Sequence, residues 1–380
     1  MKFLNALNVP NLKTKILIRV FQLVMLAVGI CIVNCQERMS RMNIILDAHG
    51  GDHAPLEVVK GAALAAAEYG VTITLCGDED EIRACAQSNG ISLDALRIAH
   101  AAQVMPMDAD PGEVLSTYAE SSMAVGLRML AAGGGDAFVT GGNTGALALG
   151  GSILVKRLKG IKRSALGVVI PNAKGCYLLI DGGANAECRP EMLQQFGIMG
   201  SAYMENIKGI KSPRVGVVNI GAEDTKGLAL QQEAGKLLRE TPVNFIGNIE
   251  AREIPLGGCD VAVCDGFTGN IILKLTEGMG KWIAFEMKRI LLKNALTKLA
   301  AVIIKDGLHR FKAAMDYTEH GGAPLLGLRA PVIKAHGSSN AHAFKNAVRQ
   351  AKTMAETQMV AKVGGVLAQL NQTDSEAGDE

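Results

Sequence analysis

Residues 42–55 read MNIILDAHGGDHAP, and this stretch decides the fold class. Its apolar run does not alternate with polar residues, which is typical of a strand covered on both faces in a parallel sheet. A turn rich in Gly and Asp follows, and then Pro55, a residue type favoured in the first turn of a helix. The stretch therefore predicts a strand at 44–47 and a helix at 55–69.

The same succession of strand, turn and helix repeats along the rest of the chain. Further apolar runs predict strands at 71–76, 96–99, 104–107, 137–140, 166–170, 177–181, 215–219, 244–247, 261–264 and 332–335. Helical patterns lie at 79–88, 117–132, 144–158, 191–206, 228–239, 269–293, 295–315 and 340–362. This alternation predicts one α/β domain over residues 42–365, with a doubly wound, mostly parallel sheet.

The composition agrees with this class. The 380 residues are 48% hydrophobic, 20% charged and 4% aromatic, with 44 glycines, which fits an α/β protein better than a disordered chain or an all-β sandwich. The formal net charge of +2 provides no global field for nucleic acid, so an anion site must be local. The eight cysteines form no C-x-x-C pair, which predicts buried free thiols in a reducing compartment.

The two ends of the chain differ from this body. In residues 1–41, basic residues precede an apolar run at 20–33, which is shorter than the ~18 residues of a membrane span. Two interpretations of this N-terminal extension stay open: Met42 is the true start of translation, or residues 1–41 are a tail that contacts a membrane. Residues 366–380 are largely polar and acidic, which predicts a flexible tail.

The turns after the predicted strands share Gly together with Asn, Asp or Thr. They lie at 47–55, 140–146, 181–185, 219–227, 247–250 and 265–270. Carboxyl ends of parallel strands meet at one crevice, where such turns offer backbone N–H groups to an anion. The chain has no Walker A motif, and no G-x-G-x-x-G follows its first strand. Phosphate, or a thioester on its carrier, is therefore a better candidate ligand than a nucleotide.

Few side chains in these turns suit catalysis. Lys226 is the one cation in a glycine-rich turn near a helix start, a position that is unfavourable unless an anion binds. Asp47, Asp181 and Asp265 each end a strand, where a carboxylate either organises the turn or takes part in a reaction. The chain has no G-x-S-x-G elbow and no cysteine in an electropositive turn, so neither a serine nor a thiolate nucleophile is indicated.

Histidines and metal ligands give weaker signals. His53 at one helix start and His336 before another are candidates for anion contact or proton transfer, or are capping and packing residues. The carboxylates lack a metal-site spacing such as H-E-x-x-H. The sequence therefore predicts neither a metal nor another cofactor.

Eight motifs occur in order along the chain: DAHGGDHAP (47–55), TGGNTGA (140–146), DGGAN (181–185), NIGAEDTKG (219–227), GNIEARE (247–253), CDGFTGN (264–270), GGAPLLG (321–327) and APVIKAHGSS (330–339). Together they resemble the bacterial phosphate acyltransferases, the fatty acyl-ACP:phosphate acyltransferases of the PlsX family. The resemblance covers about residues 42–362. His49 departs from it where Met is usual, and Gly142 where Ala is frequent.

The resemblance implies an activity, partners and a fold. Inorganic phosphate would attack the thioester of a long-chain acyl group on acyl carrier protein, giving acyl phosphate for glycerophospholipid synthesis, with no cofactor. The fold would be an α/β/α sandwich of the isocitrate-dehydrogenase or phosphotransacetylase type, in a homodimer. The enzyme would be cytoplasmic and in peripheral contact with an anionic membrane, where a glycerol-3-phosphate acyltransferase receives the product.

The resemblance also assigns site residues by motif position. Lys226 and Asn270 match the proposed catalytic pair: Lys226 would hold phosphate and the developing charge, and the amide of Asn270 would donate to the thioester oxyanion. The expected substrate- and phosphate-binding residues are Gly51, Asp52, His53, Asn143, Thr144, Gly145, Asn185 and Gly269.

Three other functions remain alternatives. A phosphotransacetylase would take the acyl group from coenzyme A. An oxidoreductase of the isocitrate-dehydrogenase type would need a metal-binding carboxylate cluster and a nucleotide loop, and the sequence shows neither. A non-enzymatic protein that binds acyl chains or membranes would not need Lys226 and Asn270.

Residues 281–312 form a basic segment with eight Lys or Arg and two acidic residues. Four aliphatic side chains recur there at helical spacing: Leu292, Leu296, Leu299 and Ile303. This pattern predicts either a helix packed in the core or a dimer contact, or a basic amphipathic surface for anionic lipid.

Overall fold

The computed structural model describes residues 42–308 and 321–367. Its strands are β1 (Asn43–Asp47), β2 (Thr72–Gly77), β3 (Leu96–His100), β4 (Ala137–Thr140), β5 (Ala165–Leu166), β6 (Val168–Asn172), β7 (Gly175–Ile180), β8 (Arg214–Asn219), β9 (Asn244–Glu250), β10 (Val261–Val263), β11 (Ala323–Leu326) and β12 (Val332–Lys334). Its α-helices are α1 (Leu56–Tyr69), α2 (Glu79–Ser88), α3 (Ser122–Ala131), α4 (Thr144–Gly150), α5 (Pro190–Lys208), α6 (Ala229–Arg239), α7 (Gly266–Leu291), α8 (Ala295–Ile303) and α9 (Ala341–Glu356).

The strands form two sheets rather than one. The larger has the order β3-β2-β1-β4-β12-β11-β5, and the smaller has the order β6-β7-β10-β8-β9. Neighbours pair in parallel except around β11, which is antiparallel to β12 and β5, and in the β6–β7 hairpin. The predicted α/β class with mostly parallel strands is confirmed.

The division between the sheets falls inside a run that the sequence predicts as one strand, 166–170. Gly167 separates β5, which pairs with β11, from β6, which pairs with β7. The backbone N–H of Gly167 donates to the carbonyl of Pro324, and an added Cβ there would lie 3.1 Å from Leu178. A glycine thus lets one apolar segment pass from the first sheet to the second.

Several further elements differ from the prediction; for example, the predicted helix 144–158 is an α-helix only over Thr144–Gly150 and continues as a π-helix over Gly151–Lys156. The run at 104–107 is not a strand, because Pro106 has no N–H for a ladder. Helix α3 begins at Ser122 rather than 117, since the hydroxyl of Ser121 accepts from the N–H of Ala124 and caps it. Strand β11 was not predicted, because it contains Pro324, a residue type that argues against a central strand.

One apolar core joins the two sheets. Leu46 of β1 and Ile180 of β7 belong to the same buried cluster, together with Tyr203 of α5 and Phe344 of α9. The two sheets therefore share packing that holds the carboxyl ends of their strands around one crevice. Residues 1–41, 309–320 and 368–380 lie outside the described residues; they include the N-terminal extension, the end of the basic segment and most of the predicted C-terminal tail. The predicted start of that tail at 366 is wrong, because residues 366–367 are helical and Leu367 is buried in this cluster.

Candidate active site

A cavity of about 420 Å³ lies where the carboxyl ends of the two sheets meet. The exits of β1, β4 and β12 supply one wall, and the exits of β7 and β10 with the start of β6 supply the other. Its polar lining is Asp52, Thr144, Asn270, Lys274, Glu277, Lys334, His336 and Ser339. Its larger apolar lining side chains are Met107, Leu166, Val168, Val169 and Leu273. The cavity thus suits a ligand that has both a polar and an apolar part.

Lys334 is the buried cation of this cavity. It ends β12 and is 7% exposed, and its Nζ donates to the carbonyls of Gly141 at 3.0 Å and Ala335 at 2.5 Å. Burial lowers the pKa of Lys334 to about 8, although the charges of Asp47 and Asp52 favour its protonated form. Sequence reasoning missed this residue, although a lysine at the end of the apolar run PVIK was a visible signal.

Helix α7 brings Asn270 to the opposite wall. The chain approaches closely there, since a Cβ added to Gly183 would lie 3.4 Å from the Cβ of Asn270. Within the described part of the chain, the Asn270 amide has no hydrogen-bond partner, so it is available to a ligand. One turn further, Lys274 forms an ion pair with Glu277 at 3.3 Å, which partly neutralises both charges.

His336 follows β12 and also lines the cavity. Its Nδ1 lies 2.9 Å from the hydroxyl of Ser338. Burial lowers the pKa of His336 below its ordinary value of 6.5, so the ring is mostly neutral at pH 7. It therefore adds a polar group to the cavity and little positive charge.

The carboxylates that end strands organise the turns, which confirms one of the two interpretations given to them. Asp47 accepts from the hydroxyl of Thr140 at 2.6 Å, and Asp265 accepts from the N–H of Thr268 at 2.8 Å. Asp181 accepts from four backbone N–H groups, those of Leu166, Gly183, Ala184 and Asn185. The N–H groups after β7 are therefore already bonded, and the predicted backbone cradle for an anion is not available at that turn.

Three of the predicted site residues line the cavity: Asp52, Thr144 and Asn270. Two predicted amide residues instead support its walls. Asn143 caps α4 and donates to the carbonyls of Met107 and Ala109, so both of its N–H groups are used. Asn185 donates to the carbonyl of Ser164 and to Asp181. Their proposed contact with phosphate stays a prediction.

The other predicted residues are glycines and His53. Gly145 packs against Pro111, Gly51 has a φ of +125° beside the carbonyl of Gly337, and Gly269 lies where a Cβ would be 1.9 Å from the carbonyl oxygen of Asp181. These glycines permit close packing of the turns. His53 is exposed and does not contribute to the cavity lining.

Lys226 lies outside this lining. It is exposed in the turn after β8, and β8 pairs in parallel with β10, so this turn and the start of α7 leave the sheet side by side. Of the predicted catalytic pair, Asn270 therefore lines the cavity and Lys226 does not. Their joint role in catalysis stays a prediction.

The described cysteines are free, and none lines the cavity. Burial raises the pKa of Cys76 and of Cys259 to about 12, which leaves these thiols protonated and unreactive. The predicted buried free thiols are thus confirmed for Cys76, Cys259 and Cys264, whereas Cys85, Cys176 and Cys188 are free but only partly buried. Cys31 and Cys35 lie outside the described residues. Across residues 42–308 and 321–367, no group of three or more His, Cys, Asp or Glu is placed to hold a metal ion.

Comparisons with known proteins agree with this fold. The structure is similar to that of a phosphotransacetylase from Streptococcus pyogenes, with a TM-score of 0.59 and 18% identity over 85% of this chain and 97% of that one. This likeness places the chain in the phosphotransacetylase-like class of α/β folds, as the resemblance implies.

The sequence comparisons define the family. The family model described as "Fatty acid synthesis protein" matches residues 42–362. The phosphate acyltransferase of Alkaliphilus oremlandii is 46% identical over 82% of this chain and 92% of its own length. That of Thermoanaerobacterium thermosaccharolyticum is 43% identical over 85% and 96%. The chain belongs to the phosphate acyltransferase family, and it is an acyltransferase.

Proposed function

We propose that this protein transfers a long-chain fatty acyl group from acyl carrier protein to inorganic phosphate, giving acyl phosphate for glycerophospholipid synthesis. The observation that carries the proposal is a cavity lined by both polar and apolar side chains. The polar side chains suit phosphate and a thioester carbonyl, and the apolar side chains suit the start of an acyl chain. The names of the relatives support phosphate as the acceptor.

The reaction needs no nucleophile from the protein. A phosphate oxygen forms a bond to the thioester carbon, and the carbonyl oxygen becomes an oxyanion to which the Asn270 amide donates a hydrogen bond. The C–S bond then breaks, and the carrier leaves as a thiolate that takes up a proton. The cavity lining, without a cysteine, agrees with such direct attack. The protein's contribution is to position phosphate and to stabilise the oxyanion.

The decisive experiment mixes the purified protein with palmitoyl-acyl carrier protein and phosphate and counts the free thiol released. We expect release that needs both phosphate and the carrier protein, and much slower release from palmitoyl-coenzyme A. Equal or faster release from the coenzyme A thioester would favour a phosphotransacetylase. No release from either thioester would overturn the proposed function and favour a binding protein.

We predict that Lys226→Ala lowers turnover and raises the phosphate concentration for half-saturation. Lys226 is a cation beside the start of α7, and its loss removes charge from both the ground state and the transition state. Lys226→Arg should restore activity only in part, because a planar guanidinium does not replace a compact ammonium. The measurement is thiol release against phosphate. Lys236→Ala, at another exposed lysine, is the control, and wild-type kinetics in Lys226→Ala would contradict this role.

The basic segment is not packed in the core of the chain. Leu296 is 78% exposed, Leu299 is 61% exposed and Ile303 is 77% exposed. Of the residues of α7, only Gly266 and Gly269 are buried. We propose that a second copy of the chain covers part of the apolar surface of α7, and that α8 with its neighbouring lysines contacts anionic lipid. No helix of the described residues is long and apolar enough to cross a membrane.

We predict that the protein starting at Met42 binds vesicles containing phosphatidylglycerol, and that salt weakens this binding. Apolar burial and attraction of lysines to anionic lipid both contribute at such surfaces. Leu296→Glu combined with Leu299→Glu should reduce binding, measured by co-flotation. Leu256→Glu, at a leucine elsewhere that is 67% exposed, should not reduce binding. Equal binding to phosphatidylcholine vesicles, or no binding to either, would disprove the contact with anionic lipid.

A further inference from the structure

We propose that Lys334 binds the phosphate that attacks the thioester, so that the acceptor subsite lies inside the cavity, at the end of β12. This inference rests on the proposed function and adds a residue to it. The sequence motifs assign phosphate to Lys226, and that prediction stands; because Lys226 is exposed and does not line the cavity, the cavity itself needs another cation. Lys334 and Asn270 line the same cavity from opposite walls. Phosphate bound at Lys334 would thus face the group that stabilises the oxyanion.

The other positive groups of the cavity are weaker candidates. Lys274 already forms an ion pair with Glu277 at 3.3 Å. His336 is mostly neutral at pH 7, because burial lowers its pKa. The turn after β7 cannot substitute for a cation, since Asp181 accepts its backbone N–H groups. Lys334 is therefore the cation in this cavity that is best placed to bind an anion.

The hydrogen bonds of Lys334 leave one donor for a ligand. An ammonium has three N–H groups, and two of them donate to the carbonyls of Gly141 and Ala335. Within residues 42–308 and 321–367, the third has no acceptor. A buried charge with an unused donor is costly, and a phosphate oxygen would satisfy both the donor and the charge. The two carbonyl bonds hold the Nζ in place before phosphate arrives.

A purely structural role is the competing explanation. The carboxylate of Asp47 lies near enough to favour the protonated form of Lys334, and so does that of Asp52. Lys274 opposes it, and Lys334 in turn disfavours a charge on His336. If Lys334 only neutralised the charge of Asp47, its replacement would change the stability of the fold and leave phosphate binding unchanged. The two roles therefore differ in how phosphate binding responds to pH.

The proposed role couples phosphate binding to protonation of Lys334. The pKa of Lys334 is lowered to about 8, and a bound dianion favours the charged form, so binding takes up a proton above that pH. Phosphate itself is already mostly a dianion there. The half-saturating phosphate concentration of the wild type should therefore rise by about tenfold per pH unit above about pH 8.

The test measures thiol release against phosphate between pH 7 and 9.5, and also the rise in melting temperature that phosphate alone causes. In Lys334→Met we expect at least a tenfold higher half-saturating concentration at pH 7, loss of its pH dependence, and loss of the thermal shift. Lys334→Arg keeps the charge at every pH and should give a flat pH profile. Lys208→Met is the control, because Lys208 is another partly buried lysine whose pKa burial lowers, outside the cavity lining.

Two outcomes would overturn the proposal. One is a Lys334→Met protein that keeps the wild-type phosphate dependence and thermal shift. The other outcome, which decides if Lys334→Met does not fold, is a Lys334→Arg protein whose half-saturating phosphate concentration depends on pH as in the wild type. The thermal shift with phosphate alone needs no acyl donor. It therefore tests Lys334 even if thiol release shows that the proposed reaction is wrong.

Discussion

Replacing Asn270 by alanine is expected to lower turnover by about 100- to 1000-fold, the usual cost of losing one oxyanion donor. The amide of Asn270 faces the cavity and has no partner within the described chain, so its removal breaks no internal hydrogen bond. The stability of the fold should therefore change little. Thiol release at saturating phosphate measures the loss, and thermal melting checks the fold.

The matched control for this variant is Gln87→Ala. Gln87 is an exposed amide on α2 that does not line the cavity, and its replacement should leave turnover unchanged. A normally folded Asn270→Ala protein that keeps more than about a third of wild-type turnover would remove Asn270 from the site, since a loss so small is not that of an oxyanion donor.

Gly269→Ala is expected to destabilise the fold by about 3 kcal/mol, at the upper end of the usual cost of overpacking. The added Cβ would lie 1.9 Å from the carbonyl oxygen of Asp181. The side chain of Asp181 accepts a hydrogen bond from the N–H of Ala184, which fixes the turn that contains this carbonyl. Either α7 or the turn after β7 must move. Urea unfolding measures the change in the free energy of unfolding.

The same helix supplies the control for this prediction. Gly278 has no atom within 4 Å of an added Cβ, so Gly278→Ala should stabilise α7 by about 0.5–1 kcal/mol through helix propensity alone. If Gly269→Ala is as stable as Gly278→Ala, the close approach of α7 to the turn after β7 is wrong. In that case, contact with substrate would explain the glycine at position 269 better than close packing does.

The local sequence was sufficient for most of the secondary structure. Continuous apolar runs predicted β1, β2, β4, β8 and β10, because a strand buried on both faces needs apolar side chains at every position. The turn role of Asp47, Asp181 and Asp265 was also open to prediction, since a carboxylate at a strand end has backbone N–H groups within reach. The motifs also identified the family, because each motif is a short continuous stretch that can be read without the tertiary structure.

Only the tertiary structure decided how the elements combine into a site. The chain passes from one sheet to the other at Gly167. This passage depends on β11, which pairs with β5 and β12, and that pairing is not visible in the local sequence. Whether a side chain reaches the cavity depends on both sheets at once. The amide N–H groups of Asn143 donate to carbonyls of the wall, whereas the amide of Asn270 remains available to a ligand. Lys334 became a candidate through its burial, and burial is determined by residues far away in sequence that close around it.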